Sequence, residues 1–433
     1  MANVQVKRSQ IDGLIRCPSS KSYTHRAIAI GSLTERQSII TNILLARDTL
    51  ATLNACRSLG ANIIHKNGTL WIAGKRKFDA PESIINAENS GTTIRLLTVM
   101  SALVDKGFTV LTGDESLRKR PMQPLLDALQ QLGVECYSSR MKGIPPLIVR
   151  GGGIKGGTTV VDGTVSSQFI SALLISSICA DKAVILKIKG AQVSAPYIDA
   201  TLAIMKAFGV VIDQKSKYSE YLIKNNEYKQ TIFDIPADLS TAALLIAAGV
   251  LAGGRLTIKG INFFFPQADS YIIDIVKAMG GKIKVDRNKD EVITQGASNL
   301  SGGSFDLTHS PDLLPVVSIL ALKSKKPVRI MGISHARLKE TDRVSNIACE
   351  LTKFGATVKE QRDEISISPP TLIKNASLEA YNDHRLFMAF TIASMLTEKS
   401  TVSGAESVDV SYPNFIQDLT NLGAHIESIP ERE

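Results

Sequence analysis

The 433-residue sequence has few aromatic residues, few cysteines and no long apolar run. Phe, Trp and Tyr make up 5% of it, and no Lys/Arg tract is interleaved with them for base stacking. The net charge of +9 therefore favours anionic partners without indicating nucleic acid, and it leaves small anions open. The five cysteines form no C-x-x-C pair and most lie inside helical or strand patterns, which is typical of reduced core thiols in a cytoplasmic protein. The longest apolar run, residues 242–254, is shorter than the roughly 20 residues that span a bilayer, and it predicts a buried helix rather than a membrane partner.

Motifs for metals and nucleotide cofactors are also missing. The six histidines show no H-E-x-x-H or other ligand spacing, and neither a P-loop nor a G-x-S-x-G motif occurs. Gly151, Gly153 and Gly156 formally spell G-x-G-x-x-G, but the β-like segment "TTVVDG" follows them where a dinucleotide site needs a helix. The sequence therefore predicts a turn at these glycines, and it predicts no metal.

An internal repeat runs through the whole chain. Six Leu-Gly, Phe-Gly or Met-Gly pairs each end an amphipathic segment, and we expect each glycine to cap a helix: Gly60, Gly133, Gly209, Gly280, Gly355 and Gly423. Between them, six small or polar clusters each open an Ala/Leu/Ile-rich helix, at Lys21, Ser90, Ser166, Asp238, Asp312 and Asn382. The period is about 72 residues with two helices and short strands in each unit, which predicts packed α/β domains rather than a helical solenoid.

The polar clusters admit two readings. Ser, Asp and Asn satisfy free backbone N–H groups at helix N-termini, so each cluster is explained by capping alone. A helix N-terminus also attracts phosphate and carboxylate, and four segments add cations that a cap does not need: "SSKSYTHR", "GDESLRKRP", "RLKETDR" and "YNDHR". Several cations of this kind predict a multiply anionic ligand.

With these motifs the sequence resembles the 5-enolpyruvylshikimate-3-phosphate synthase family of enolpyruvyl transferases, from about residue 3 to residue 426. The segments that carry the resemblance include "PSSKSYTHRA", "NSGTTIRLL", "DGTVSSQFISALL", "RLKETDRVSNIACEL" and "YNDHRLFMAF". The resemblance implies an α/β fold of two similar domains, each an inside-out α/β barrel of three repeated units, with a ligand cleft that closes between them. It places residues 1–17 and 233–433 in one domain and 18–232 in the other, so that the N-terminal strand joins the C-terminal half. It also implies a monomer without an organic cofactor.

The family's activity is transfer of the enolpyruvyl group of phosphoenolpyruvate to the 5-hydroxyl of shikimate 3-phosphate, with release of phosphate through a tetrahedral intermediate. The resemblance assigns catalysis to Asp312, Glu340 and Lys21. It assigns shikimate 3-phosphate contacts to Lys21, Ser22, Arg26, Ser166, Ser167, Gln168, Ser194, Tyr197, Asp312 and Lys339. It assigns phosphoenolpyruvate contacts to Lys21, Gly91, Arg120, Gln168, Arg343 and Arg385.

Three positions depart from the family pattern. Val410 and Ser411 stand where a lysine often precedes the aromatic-Pro pair, so one phosphoenolpyruvate contact is missing or supplied elsewhere. His335 replaces an asparagine that contacts the sugar ring, and Leu96 replaces a proline, which bears on the position of Gly91 and the response to glyphosate.

Two other functions are consistent with parts of the pattern. The sister transferase that acts on UDP-N-acetylglucosamine carries a reactive cysteine in a mobile loop, but the matching segment "GDESLRKRPMQPLL" has none. A non-catalytic polyanion-binding protein would explain the cations but not Asp312 and Glu340 beside them.

Overall fold

The computed structural model describes residues 3–297 and 299–429. The chain forms two compact units, which we call unit 1 and unit 2. Unit 1 contains the chain up to Pro18 and again from Ala237, and unit 2 contains Ser19–Pro236.

The described residues contain twelve α-helices. They are α1 (Lys21–Ser32), α2 (Arg47–Ser58), α3 (Gly91–Ser101), α4 (Gln123–Gln131), α5 (Ser167–Ser177), α6 (Pro196–Ala207), α7 (Leu239–Leu251), α8 (Tyr271–Ala278), α9 (Leu314–Leu320), α10 (Arg343–Lys353), α11 (His384–Ser394) and α12 (Phe415–Asn421).

The same part of the chain contains twenty-four strands. They are β1 (Asn3–Lys7), β2 (Gly13–Arg16), β3 (Ser38–Thr41), β4 (Asn62–Lys66), β5 (Thr69–Ala73), β6 (Ile85–Asn86), β7 (Phe108–Thr112), β8 (Cys136–Ser138), β9 (Leu147–Arg150), β10 (Gly157–Asp162), β11 (Val184–Lys189), β12 (Asp213–Ser216), β13 (Glu220–Ile223), β14 (Ile232–Asp234), β15 (Arg255–Lys259), β16 (Lys282–Asp286), β17 (Glu291–Gln295), β18 (Gly303–Asp306), β19 (Val328–Met331), β20 (Thr357–Glu360), β21 (Glu364–Ser368), β22 (Ser377–Leu378), β23 (Lys399–Ser403) and β24 (Ile426–Ile429).

All six sheets share one topology. Each has four strands, in which a parallel pair is followed by two antiparallel pairings, as in β10-β11-β13-β12 of unit 2 and β18-β19-β21-β20 of unit 1. The N-terminal strand β1 lies between β23 and β24, with Val4 opposite Val402 and Ser428, so it joins the C-terminal half of the chain as predicted. Six copies of one sheet confirm that the sequence repeat is a structural repeat.

Buried helices make up much of the core of each unit, together with the inward-facing residues of the strands. In unit 2, α1, α3 and α5 pack together, and in unit 1, α7, α9 and α11 do so. Every residue of α7 is buried, as the apolar run predicted, and all of α11 is buried too. The strands instead alternate buried and exposed positions, as in β1 and β5. Buried helices behind half-exposed sheets are the arrangement that an inside-out domain requires.

The predicted helix ends are present. All six glycines have positive φ, from +76° at Gly280 to +107° at Gly423, which suits a residue without a side chain just after a helix. Five polar clusters cap helices through Ser20, Ser90, Ser166, Asp238 and Asp383. The fifth cluster in chain order differs, because Pro311–Leu313 forms a 3₁₀ turn before α9 and neither element has a side-chain cap.

The cysteine prediction holds in part. All five cysteines are free thiols, and Cys17, Cys56 and Cys136 are buried. Cys349 is exposed on α10, so the expectation of a core thiol is wrong there. Among the described residues, no helix has the length and apolar character of a membrane span.

Candidate active site

Lys21 is the first residue of α1 and is held by an ion pair. The Ser20 hydroxyl accepts a hydrogen bond from the Tyr23 backbone N–H and caps the helix. The Lys21 ammonium lies 3.0 Å from a carboxylate oxygen of Asp48, which follows the start of α2. Because the Lys21 and Asp48 side chains are only 16% and 7% exposed, this pair fixes the direction of a poorly hydrated ammonium.

Arg26 lies one turn further along α1 and is buried among neutral groups. Its Nε donates to the Thr201 hydroxyl at 2.8 Å and its Nη1 donates to the Ser22 backbone oxygen at 2.9 Å. Its Nη2 donates to the Ser171 hydroxyl and to the Tyr197 backbone oxygen. Burial lowers the pKa of Arg26 to about 10, so the guanidinium stays charged at neutral pH. A buried cation whose described partners are all neutral has charge left to balance an anion.

Two guanidinium groups converge over the N-terminus of α3. Gly91 is the first residue of that helix, and the Ser90 hydroxyl caps it. A Cβ at position 91 would lie 2.8 Å from Nη1 of Arg120 and 2.9 Å from Nη1 of Arg95. Gly91 therefore admits two cations beside free helix N–H groups, which is an arrangement that attracts phosphate or carboxylate. Its φ is not positive, so here the glycine provides space rather than backbone freedom.

The start of α5 extends this cluster. The Ser166 hydroxyl caps α5, Ser167 is buried as its first residue, and Gln168 follows. The Gln168 side-chain oxygen accepts from Arg95 Nη1, and its amide nitrogen donates to the Thr92 hydroxyl at 3.1 Å. Gln168 thus connects α5 to the N-terminus of α3.

Ser194 and Tyr197 lie at the start of α6, where Arg26 also reaches. Ser194 has φ +54°, which is uncommon for a residue other than glycine, and the Tyr197 backbone N–H donates to its carbonyl oxygen. In unit 2, hydrogen bonds therefore join Arg26 to Ser22 and Tyr197. Arg95 and Arg120 both lie beside Gly91, and Arg95 also contacts Gln168.

Arg343 is the centre of the corresponding cluster in unit 1. It is the first residue of α10, and its side chain is 1% exposed. Its Nε donates to Asp383 at 2.7 Å, its Nη1 to Asp312 at 2.9 Å and its Nη2 to Glu340 at 2.7 Å. Burial alone would lower the pKa of Arg343, but the three carboxylates outweigh it and raise the pKa above its ordinary value. Arg343 thus stays charged and orients three carboxylates.

Asp312 bridges two arginines. One of its oxygens accepts from Arg343, and the other lies 2.9 Å from Nη2 of Arg385, which also donates to the Ser240 hydroxyl at 3.0 Å. Burial would raise the pKa of Asp312, but the charges of Arg385, Lys339 and Arg343 outweigh it and hold the pKa well below its ordinary value. Asp312 is therefore ionised, and in this state it is a weaker base than an ordinary carboxylate.

Two further residues of unit 1 that the sequence singled out, Lys339 and His335, lie in the segment that precedes α10. Lys339 follows the 3₁₀ turn Ser334–Leu338 and is half-buried, and its charge acts on both Asp312 and His335. His335 is 8% exposed, and burial together with Lys339 lowers its pKa to about 4. The His335 imidazole is therefore uncharged at pH 7.

The departures from the family pattern have defined environments. Val410 and Ser411 are both buried at the end of the 3₁₀ turn Ala405–Val410, so these positions supply no cation. Leu96 is also buried, in the second turn of α3 next to Arg95.

Three residues of these clusters were assigned no role from the sequence. They are Asp48, which pairs with Lys21, Arg95, which contacts Gln168, and Asp383, which both caps α11 and pairs with Arg343. Arg95 had a usable signal, because residues i and i+4 share one face of a helix and Gly91 was already a candidate. Asp48 and Asp383 had none beyond capping chemistry, since their partners are distant in sequence.

These clusters suit binding of small anions and proton transfer between oxygen and carbon atoms. In the described part of the chain, no group of three or more His, Cys, Asp or Glu side chains is placed to hold a metal ion.

Comparison with known proteins agrees with the geometry. The model of the family described as EPSP synthase (3-phosphoshikimate 1-carboxyvinyltransferase) matches residues 6–419. A 3-phosphoshikimate 1-carboxyvinyltransferase from Nitrosopumilus maritimus is 45% identical over 98% of this chain and 99% of its own length, and one from Methanocaldococcus jannaschii is 42% identical over 97% and 98%. An EPSP synthase structure from Acinetobacter baumannii superimposes with a TM-score of 0.84 at 25% identity, covering 99% of this chain and all of that one.

The match extends over nearly all of the sequence and all of the fold, and it includes the segments that carry both clusters. The chain belongs to the EPSP synthase family.

Proposed function

We propose that this chain catalyses transfer of the enolpyruvyl group of phosphoenolpyruvate to the 5-hydroxyl of shikimate 3-phosphate, with release of phosphate. The observation that carries the proposal is the position of Asp312, whose two oxygens lie 2.9 Å from Arg343 and from Arg385. A proton acceptor held directly against two anion-binding guanidinium groups is what an addition between two phosphorylated substrates requires.

Shikimate 3-phosphate would bind mainly to unit 2. Arg26, buried among neutral partners, supplies charge for an anionic group, and the hydroxyls at the starts of α5 and α6 supply hydrogen bonds. The proposed contacts in unit 2 are Lys21, Ser22, Arg26, Ser166, Ser167, Gln168, Ser194 and Tyr197. From unit 1, Lys339 and Asp312 would reach ring hydroxyls.

Phosphoenolpyruvate would bind to the cations at helix starts. In unit 2 these are Lys21, Arg120 beside Gly91, and Arg95, which the geometry adds to the predicted set together with its partner Gln168. In unit 1 they are Arg343 and Arg385. A charge-assisted hydrogen bond contributes about 1.5 to 3 kcal/mol, so several of them can hold a small trianion firmly.

The proton transfers are assigned to the carboxylates. In the addition step the 5-hydroxyl oxygen bonds to C2 of phosphoenolpyruvate, Asp312 takes the hydroxyl proton, and Glu340, which first takes up a proton from solvent, delivers it to C3. In the elimination step C3 returns a proton to Glu340 while the C2–O bond to phosphate breaks, and the proton on Asp312 passes through solvent to the departing phosphate. Lys21 stabilises the charge that develops on the departing bridging oxygen. Each positioned proton transfer is typically worth about 10² to 10⁴ in rate.

Substrate binding should make Asp312 more basic, because it would weaken the ion pairs that Asp312 makes in unit 1. Its pKa is low because burial is outweighed by Arg385, Lys339 and Arg343. An anionic substrate that binds the arginines neutralises part of this charge. The effect of burial then counts for more, so the pKa of Asp312 rises as the substrate arrives.

The free thiols also support a cytoplasmic location, which we include in the proposal. The proposed partners are the two small anionic substrates.

The test is a phosphate-release assay with phosphoenolpyruvate and one acceptor in each tube. We expect release with shikimate 3-phosphate and none with UDP-N-acetylglucosamine. Release with the nucleotide sugar alone would assign the chain to the sister activity, and release with neither would refute catalysis.

A further inference from the structure

Glu350 is a fully buried carboxylate that the proposed reaction does not use. It lies on α10, seven residues after Arg343, and is 0% exposed. Because seven residues make about two helical turns, Glu350 and Arg343 lie on the same face of α10. A buried charge is costly unless its partners satisfy it, so the partners of Glu350 indicate what it is for.

Both oxygens of Glu350 bind the segment that leads into α11. One oxygen accepts from the Glu379 backbone N–H at 3.0 Å, and the other accepts from the Tyr381 hydroxyl at 2.8 Å. The Lys353 ammonium lies within 2.8 Å of both oxygens and balances the charge. Glu350 therefore fixes residues 379–381 at a backbone and a side-chain position.

The segment it holds has a costly backbone conformation. Tyr381 has φ +53° and Asn382 has φ +56°, so two consecutive residues other than glycine are left-handed. Asparagine tolerates this region, but for a large residue such as tyrosine the conformation is unfavourable and persists only when the surroundings impose it. The bond from the Tyr381 hydroxyl to Glu350 is one such constraint.

Directly after these residues comes Asp383. Its carboxylate accepts from the backbone N–H groups of Arg385 and Leu386, and it accepts from Nε and Nη2 of Arg343. Helix α10 thus holds this segment at two points, with Glu350 at one end and Arg343 at the other.

We propose that Glu350, acting through Tyr381, is a positioning residue for the reaction. By holding Tyr381 and Asn382 in the left-handed conformation, it sets the position of Asp383 and thereby the directions of the Arg343 and Arg385 guanidinium groups. The inference rests on the proposed role of these two arginines in binding phosphoenolpyruvate.

The first test is Tyr381→Phe, which removes the hydroxyl and keeps the ring. We expect KM for phosphoenolpyruvate to rise about tenfold, as for loss of one hydrogen bond to a charged group, while KM for shikimate 3-phosphate changes less than about twofold. The matched control is Tyr228→Phe in unit 2, whose buried hydroxyl donates to the Ile175 backbone oxygen at 2.9 Å. The control should leave both KM values unchanged.

Glu350→Gln is the second variant, because it keeps the size of the side chain but offers only one oxygen to the Glu379 N–H, the Tyr381 hydroxyl and the Lys353 ammonium. It should raise KM for phosphoenolpyruvate at least as far as Tyr381→Phe does. If either variant lowers the urea midpoint while both KM values stay as in the wild type, or if both KM values rise equally, the positioning role is wrong.

Hydrogen exchange separates this inference from the proposed function. The amides of Arg385 and Leu386 should exchange faster in Tyr381→Phe than in the wild type or in Tyr228→Phe, whatever reaction the protein catalyses. Unchanged exchange at these amides would overturn the positioning role. Faster exchange in a protein that releases no phosphate would instead refute the proposed function and keep the structural part of the inference.

Discussion

The two units use their cations differently. In unit 2 the guanidinium group of Arg26 has neutral partners, and Arg95 and Arg120 meet at the N-terminus of α3. In unit 1 Arg343 is surrounded by Asp312, Glu340 and Asp383. A cation with neutral partners gains a new partner when an anion binds, whereas a cation paired with carboxylates must exchange one anion for another. Unit 2 is therefore suited mainly to holding substrates, whereas unit 1 combines arginines with carboxylates that are placed for proton transfer.

The largest effect is expected at Asp312, where a substitution should separate proton transfer from substrate binding. Asp312→Asn keeps the size of the side chain but removes the proton acceptor, so turnover should fall by about 10² to 10⁴. Affinity for phosphoenolpyruvate should stay equal or increase, because Arg343 and Arg385 lose a competing carboxylate. Phosphate release and calorimetric titration measure the two quantities. A fall in affinity that matches the fall in rate would show that Asp312 only holds the arginines in place.

A smaller effect is expected at Arg95, on the unit 2 side of the comparison. Arg95→Gln removes one of the two guanidinium groups beside Gly91, and KM for phosphoenolpyruvate should rise about 10- to 100-fold, the equivalent of one charge-assisted hydrogen bond. Arg95→Lys keeps the charge and should recover part of the loss in steady-state assays. Equal defects in both variants would indicate that the Gln168 contact, rather than charge, is what matters.

Arg26→Lys tests whether the buried guanidinium binds by its shape. Lysine keeps the charge but cannot make the four bonds of Arg26, so affinity for shikimate 3-phosphate should fall about tenfold. Arg57→Lys is the control, because Arg57 also lies in unit 2 and donates two bonds, both to the Ile63 backbone oxygen. Calorimetry should show normal binding for the control, and the same loss in both variants would remove Arg26 from the site.

The smallest expected effect concerns stability and comes from His335 in unit 1. Its folded-state pKa of about 4 is below the unfolded value of 6.5, so between these values the unfolded chain takes up the proton more readily. The free energy of unfolding therefore falls as the pH drops from 6.5 towards 4, and His335 contributes about 1 kcal/mol to that fall between pH 7 and pH 5.5.

His335→Asn should remove this part of the pH dependence in urea unfolding measured at the two pH values. His65→Asn is the control, since His65 is exposed on β4. An unchanged pH dependence in His335→Asn would mean that His335 is not buried in the neutral form.

The repeat and its helix ends could be predicted because both depend on local chemistry. Serine or aspartate before an apolar helix, and glycine after one, satisfy backbone groups within a few residues. The missing side-chain cap at Asp312 could not be predicted. Its carboxylate instead binds Arg343 and Arg385, which follow it by 31 and 73 positions. Long-range pairs leave no trace in local spacing.

For the same reason, the sequence identified the cations of these clusters more fully than the side chains that pair with them. Lys21, Arg120 and Arg343 stood out beside helix starts, but their pairing with Asp48, Asn89 and Asp383 depends on how separate helices pack. From the sequence, Arg343 was assigned only as an anion contact. The three carboxylates that surround it could not be seen there.

The separation of substrate binding from proton transfer is tested most directly by measuring affinity and rate for two variants in parallel. For Asp312→Asn and Arg26→Lys, calorimetry gives the affinity for shikimate 3-phosphate and rapid-quench mixing at saturating substrates gives the single-turnover rate. We predict that Arg26→Lys loses affinity and keeps most of its rate. Asp312→Asn should lose rate and keep its affinity, because the asparagine side-chain oxygen can still accept a hydrogen bond from a ring hydroxyl. If the two variants lose the same quantity, binding and proton transfer are not divided in this way.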